Sequence, residues 1–127
     1  MSFIIRPFDA PLGAEVIGFN LARDATPEAA ERLRAAWLDR VVLCFRDQDL
    51  TPADFLRLAG LFGNPTPQPL QRPEYRVEGF PEIRVLSNRH TDTLGDNRPL
   101  RIGGSWHSDH LHQQVPPRGT MLYQRPL

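Results

Sequence analysis

Short apolar runs separated by turn residues fill the first twenty positions of the chain, and a helical period follows. Phe3-Ile4-Ile5-Arg6 and Ala14-Glu15-Val16-Ile17-Gly18-Phe19 predict two short strands, parted by a turn at Asp9 to Gly13. Thr26-Pro27 then opens a helix, with Thr26 as N-cap, Pro27 at the first helical position, and Glu28 and Glu31 near the positive end of the dipole. Its apolar positions, Ala30, Leu33, Ala36 and Trp37, recur at the three-and-four spacing that faces a core. The run Val41-Val42-Leu43-Cys44-Phe45 predicts a central strand covered on both faces.

A second helix is expected from Thr51-Pro52, with Asp54 near its free amides and with Phe55, Leu58, Ala59 and Phe62 on its buried face. Gly63 is the expected left-handed stop. Pro65, Pro67, Pro69 and Pro73 predict a surface loop, Glu82 to Asn88 a strand, and Arg89 to Ser105 a long polar loop that leads into Trp106. Gly119 to Gln124 reads as a last strand after the Pro116-Pro117 break. Two early helices and a strand-rich second half, where nine of thirteen prolines lie from Pro65 onward, make the expected class α+β.

Composition narrows the partners. A chain of 127 residues, 40% hydrophobic and 24% charged, suits one ordinary core. No apolar run approaches the ~20 residues of a membrane span, and Arg6-Pro7 interrupts the start before a secretory core could form, so a cytoplasmic protein with no membrane contact is expected. Fifteen cations balance fifteen anions without a long block of either sign, which argues against a nucleic-acid surface. All the cations are Arg. Cys44, single and inside an apolar run, reads as a small core residue.

The densest chemistry lies in Trp106-His107-Ser108-Asp109-His110-Leu111-His112, which holds three of the four His. Side chains alternate along an extended strand, so His107 and Asp109 would share a face, and His110 would stand on the other. An imidazole and a carboxylate so placed can fill two adjacent corners of a metal site. A solvated strand end with His107 bonded to Asp109 fits the same spacing.

Several separated segments resemble the taurine dioxygenase and aryloxyalkanoate dioxygenase family of iron(II)- and 2-oxoglutarate-dependent oxygenases. They are Gly13-Ala14-Glu15-Val16-Ile17-Gly18 with Leu21, the run Val41 to Thr51 with its Phe45-Arg46-Asp47-Gln48, Phe62-Gly63, and Trp106-His107-Ser108-Asp109 followed by Pro116-Pro117. The resemblance implies a double-stranded β-helix, or jelly roll, of which residues 1–127 would be the N-terminal portion within a single oxygenase domain. It implies Fe(II) held by His107 and Asp109, with 2-oxoglutarate as cosubstrate. It also implies O2 as a reactant, and a small organic substrate hydroxylated with release of succinate and CO2.

The family's distal iron His and its 2-oxoglutarate Arg have no counterpart here, so these residues are expected to be part of a longer enzyme and inactive alone. Gly103 stands where relatives often carry an Asn that touches 2-oxoglutarate. Where sulfonate-using relatives place a His and a Tyr, this chain has Pro67-Gln68-Pro69-Leu70-Gln71. Gln68, Gln71 and His110 are candidates to contact substrate, with solvent exposure as the plain alternative for each. Two other readings stay open: a zinc-dependent hydrolase built on the His-rich segment, and a non-catalytic fragment that binds a partner or forms a homo-oligomer.

Overall fold

In the computed structural model, which describes residues 2–67, 75–87 and 104–124, the chain divides into two compact units, Met1–Gln68 and Pro69–Leu127. Its secondary structure is mixed α/β.

The first unit is built on a three-stranded sheet. Strand β1 (Ile4–Pro7) runs antiparallel to β2 (Ala14–Ile17), pairing Ile5 with Val16 and Arg6 with Glu15. Pro7, which has no N–H to give to a ladder, stands at the end of this edge strand. The turn between them closes through Phe8 N–H to Gly13 O at 3.1 Å. Gly13 has φ +93°, and a Cβ there would lie 2.7 Å from the Phe8 ring, so both backbone and space demand glycine.

After β2, the Asn20 side chain accepts from Ala22 and Arg23 N–H and starts a one-turn helix α1 (Leu21–Asp24). The sequence reading expected two helices and missed this one. It is too short to show an apolar period, and only the cap marks it. Ala25, at φ −76° and ψ 65°, is an inverse γ-turn closed by Thr26 N–H to Asp24 O at 2.8 Å. Thr26 then caps α2 (Pro27–Arg40), accepting from Ala29 N–H as expected. Ala29, Ala30 and Leu33 are buried, and Ala36 and Trp37 are half-buried.

Helix α2 ends unusually. Val41 has φ 68° and ψ −38°, and Val42 N–H reaches back to Arg40 O at 2.8 Å, which is a γ-turn of the positive-φ kind on a β-branched residue. Strand β3 (Leu43–Phe45) follows, parallel to β2 in the register Ala14 with Leu43 and Val16 with Phe45. The expectation of a doubly covered central strand over Val41 to Phe45 is corrected here. The sheet order is β1-β2-β3, so β2 is central and β3 lies at an edge, with Val41 60% and Val42 48% exposed. Cys44 is accordingly half-buried.

Helix α3 (Pro52–Gly60) begins with a capping box: Thr51 Oγ1 accepts from Asp54 N–H, and Asp54 Oδ2 accepts from Thr51 N–H. Leu58 is buried and Phe55, Ala59 and Phe62 are half-buried. Gly63 does not act as the left-handed stop expected of it, since its φ is not positive. The helix ends by tightening, with Leu61 N–H on Leu58 O and Phe62 N–H on Ala59 O, so three-residue closures satisfy carbonyls that a left-handed glycine would otherwise serve.

Polar staples tie these elements. Glu15, 13% exposed, takes Arg6 Nη2 at 2.6 Å on one oxygen and Arg46 Nε at 3.0 Å on the other, and the two guanidinium hydrogen bonds hold its carboxyl below the usual carboxylate range. Gln48 donates to Phe19 O and Arg46 O across the left-handed Asp47, so the Phe45-Arg46-Asp47-Gln48 segment locks the end of β3 beside the end of β2. Arg23, Arg32, Arg34, Arg40 and Arg57 each donate to a backbone carbonyl, on Gly18, Phe3, Leu61, Gly13 and Leu21 in turn.

Among the described residues, buried Asp24 is the most heavily bonded carboxylate, accepting from Arg23 Nε and Nη2, Ser2 Oγ and Asn20 N–H. The Arg23 bonds, ahead of Ser2 and Asn20, hold its carboxyl far below its ordinary value despite burial.

In the second unit, β4 (Arg76–Val77) and β5 (Phe80–Arg84) form a hairpin whose turn uses Gly79 at φ 78°. The buried Tyr75 lies under the Arg84 guanidinium, 5.2 Å from the ring centre, and its carbonyl accepts from Val85 N–H. The predicted strand from Glu82 therefore starts earlier, at Phe80, and ends at Arg84; Asn88 lies outside the described residues. No ladder forms over 119–124, where a last strand was expected. Among the described residues, no helix is long and apolar enough to cross a membrane.

Two consequences can be measured. Leu33 is 0% exposed, so Leu33→Ala should cost about 2–5 kcal/mol in chemical denaturation, through lost burial and the cavity left behind. A carboxyl depressed in the folded state stabilises it above the unfolded pKa, here 3.8, and that contribution is lost as pH falls. Asp24→Asn should therefore lower the melting temperature at pH 7, with the gap to wild type beginning to narrow as pH falls below 3.8 and closing only where the folded carboxyl itself protonates, well below that; a gap independent of pH would contradict the assignment.

Candidate metal centre

The His-rich segment lies in the second unit and carries no strand ladder from Gly104 to Gln124. His107 and Asp109 nevertheless stand side by side, as their two-residue spacing led one to expect, and a turn follows them: residues 109–112 bend back, His110 takes φ 53°, and Gln113 N–H closes on His110 O at 3.0 Å. His107 Nε2 lies 3.3 Å from Asp109 Oδ1, with the side chains 53% and 42% exposed.

Each member of the pair is held from its far side. His107 Nδ1 lies 2.7 Å from Ser105 O, and since a carbonyl only accepts, Nδ1 carries the hydrogen and donates. In the neutral ring Nε2 then presents a lone pair toward Asp109 Oδ1. Thr120 Oγ1 donates to the other carboxylate oxygen, Asp109 Oδ2, at 2.7 Å. The sequence reading assigned Thr120 to a strand and gave it no role. Eleven residues separate it from Asp109, and no local pattern joins them.

The pair fits a cation. Two donor atoms about 2.1 Å from one ion stand roughly 3 Å apart when they subtend a right angle, close to the 3.3 Å between Nε2 and Oδ1. A cation between two such lone-pair donors, whether a metal ion or the proton of an Nε2–H, satisfies both at once. Among the described residues, no group of three His, Cys, Asp or Glu side chains converges, so the pair could offer an ion two donors and the described residues no third.

His110, expected on the opposite strand face, instead sits in the turn with its ring 5.8 Å from that of His112. Trp106, next to the pair, is fully exposed. The remaining candidates, Gly103, Gln68 and Gln71, lie outside the described residues, as does His90. The first unit carries an open depression of about 380 Å³ walled in part by Arg6, Glu15, Arg23, Arg46 and Asp47. Glu15 engages Arg6 and Arg46 there and Asp24 engages Arg23, so these side chains serve the staples described above.

Comparison with known proteins gives consistent matches. The family model described as taurine catabolism dioxygenase TauD, TfdA family matches residues 4–126. A (S)-phenoxypropionate/alpha-ketoglutarate-dioxygenase from Sphingobium herbicidovorans is 30% identical over 123 residues, covering 95% of this chain and 40% of that protein. The crystal structure of a taurine dioxygenase from Burkholderia xenovorans aligns with a TM-score of 0.54 at 34% identity, over 64% of this chain and 28% of that one. The chain thus spans less than half the length of either relative.

The bond to Ser105 O fixes the imidazole tautomer, and nitrogen NMR can read it. At a pH where His107 is neutral, long-range proton–nitrogen correlation should show Nδ1 protonated and Nε2 bare; the reverse assignment would contradict this geometry.

Proposed function

Because this chain belongs to the taurine catabolism dioxygenase TauD, TfdA family, we propose that it forms part of the active centre of an iron(II)- and 2-oxoglutarate-dependent dioxygenase. In this reading residues 1–127 are the N-terminal portion of one oxygenase domain of jelly-roll type. The observation that carries it is the His107 Nε2 to Asp109 Oδ1 pair, 3.3 Å apart, inside the matched segment.

His107 and Asp109 would hold two adjacent corners of the iron, as in the 2-His-1-carboxylate arrangement, and a His from the rest of the polypeptide would supply the third ligand. When bound, iron with 2-oxoglutarate and O2 supplies the oxidising chemistry: one oxygen atom enters succinate as 2-oxoglutarate loses CO2, and the other hydroxylates the substrate. The chain's own residues have narrower tasks. Ser105 O keeps the His107 ring oriented with Nε2 bare, and Asp109 contributes the negative charge that favours a dication over water alone. The exposure of both ligands leaves room for cosubstrate and substrate to approach.

Gly103, at the position of a 2-oxoglutarate contact in relatives, and Gln68, Gln71 and His110, at the substrate side, complete the proposed site. A segment reading Pro67-Gln68-Pro69-Leu70-Gln71 lacks the imidazole that relatives use on a sulfonate. That favours a small carboxylate substrate, the class to which the phenoxypropionate of one relative belongs.

The test uses the polypeptide as the cell makes it, with Fe(II), 2-oxoglutarate and a panel holding phenoxypropionate and taurine. Succinate should form only when iron is present, and His107→Ala and Asp109→Ala should each lower its rate at least ~100-fold. Unchanged rates in both variants would overturn the iron site, and activity supported by zinc without 2-oxoglutarate would favour a hydrolase.

A further inference from the structure

The contacts on either side of the His107–Asp109 pair divide its polar atoms cleanly. Asp109 has two carboxylate oxygens: Oδ1 faces His107 Nε2 at 3.3 Å, and Oδ2 accepts the Thr120 hydroxyl at 2.7 Å. An exposed carboxylate with no such bond turns freely about its last torsion and offers a cation either oxygen, or both at once. A short hydrogen bond from a hydroxyl fixed on another segment removes that freedom.

We infer that Thr120 is a positioning residue: its hydroxyl holds Asp109 by Oδ2, so that Oδ1 alone is presented to a divalent cation shared with His107 Nε2. This rests on reading His107 and Asp109 as metal ligands. Three observations support it. The donor is a hydroxyl, which can give a hydrogen to the outer oxygen without competing for the metal as a second carboxylate or imidazole would. The bond lies on the oxygen turned away from His107, where a bidentate contact would otherwise form. On the other side of the pair Ser105 O does the matching task for the imidazole, taking Nδ1–H at 2.7 Å and leaving Nε2 bare. Both ligands are thus oriented by groups outside the pair, one from each flanking segment, which is how outer contacts tune affinity at metal sites generally.

Thr120 also closes a loop of eleven residues back onto Asp109, so a purely structural role must be told apart from a positioning one. The separating experiment titrates Co(II) alone, as a spectroscopic probe, into the polypeptide as the cell makes it, reading visible absorption. Thr120→Val should weaken Co(II) binding ~10–100-fold and alter the ligand-field bands, because the carboxylate can then bind through both oxygens. Thr120→Ser, which keeps the hydroxyl, should restore affinity and bands together.

Wild-type affinity and bands in Thr120→Val, with binding lost in Asp109→Ala, would overturn the role of Thr120 and leave the metal site standing. Wild-type binding in Asp109→Ala would overturn the metal reading itself. Should the Val variant not fold, Thr120→Ala against Thr120→Ser carries the same comparison: Ala weakened and Ser normal is the expected result, and equal affinity in the two overturns the proposal.

Discussion

Five aromatic rings in edge-to-face sequence hold the first unit together. Phe3 meets Phe19 at 5.3 Å between centres, Phe19 meets Phe45 at 5.4 Å, Phe45 meets Phe62 at 6.4 Å and Phe62 meets Trp37 at 5.8 Å, all nearly perpendicular. Each ring comes from a different place: the approach to β1, the exit of β2, the end of β3, the turn after α3 and the body of α2. Edge-to-face contact sets direction as well as distance, since the positive rim of one ring must meet the negative face of the next. Once these rings are seated, few separations between the elements remain free. The arginine staples then serve carbonyls that no ladder reaches, with planar forks well suited to that geometry.

Local signals were legible in the sequence, and non-local ones were not. Thr26-Pro27 and Thr51-Pro52 marked their helices because capping is settled within four residues. The end of α2 was not marked, since a valine at φ 68° is a conformation its own side chain disfavours, and it is held by backbone hydrogen bonds, Val41 N–H on Trp37 O and both Val42 and Gly13 N–H on Arg40 O. Gly63 carried the usual stop signal, yet the helix had already closed by tightening at Leu61. The apolar run Val41 to Phe45 looked central because burial and strand order cannot be separated by composition alone. Its place at the edge follows from β2 lying between two partners.

At the candidate site the approach of His107 to Asp109 was legible from their two-residue spacing, whereas the left-handed His110 and the turn that follows the pair were not. What the sequence could not reveal was the hydrogen-bond partner of each of these two side chains. Ser105 contributes only its carbonyl, which every residue possesses, and Thr120 lies too far along the chain for any spacing rule. The Phe45-Arg46-Asp47-Gln48 segment teaches the complementary lesson. It is one of the segments that carry the resemblance, and its visible task here is to fasten two strand ends, through Arg46 on Glu15 and Gln48 on Phe19 O.

The parallel pairing of β2 with β3 has a bearing on how the first unit assembles. β1 and β2 meet across a six-residue connection, Phe8 to Gly13, and α2 forms from neighbouring residues, so both can arise early in the chain's collapse. β3 can dock only when Leu43 returns to Ala14, closing a loop whose entropy costs roughly 3 kcal/mol before any ladder bond repays it. The strained exit at Val41 must be set in the same event, because Arg40 O receives both Gly13 N–H and Val42 N–H. Completion of the sheet is thereby the non-local part of this unit's pairing, and it covers the edge of β2, whose unpaired N–H and C=O groups would otherwise be open to another chain.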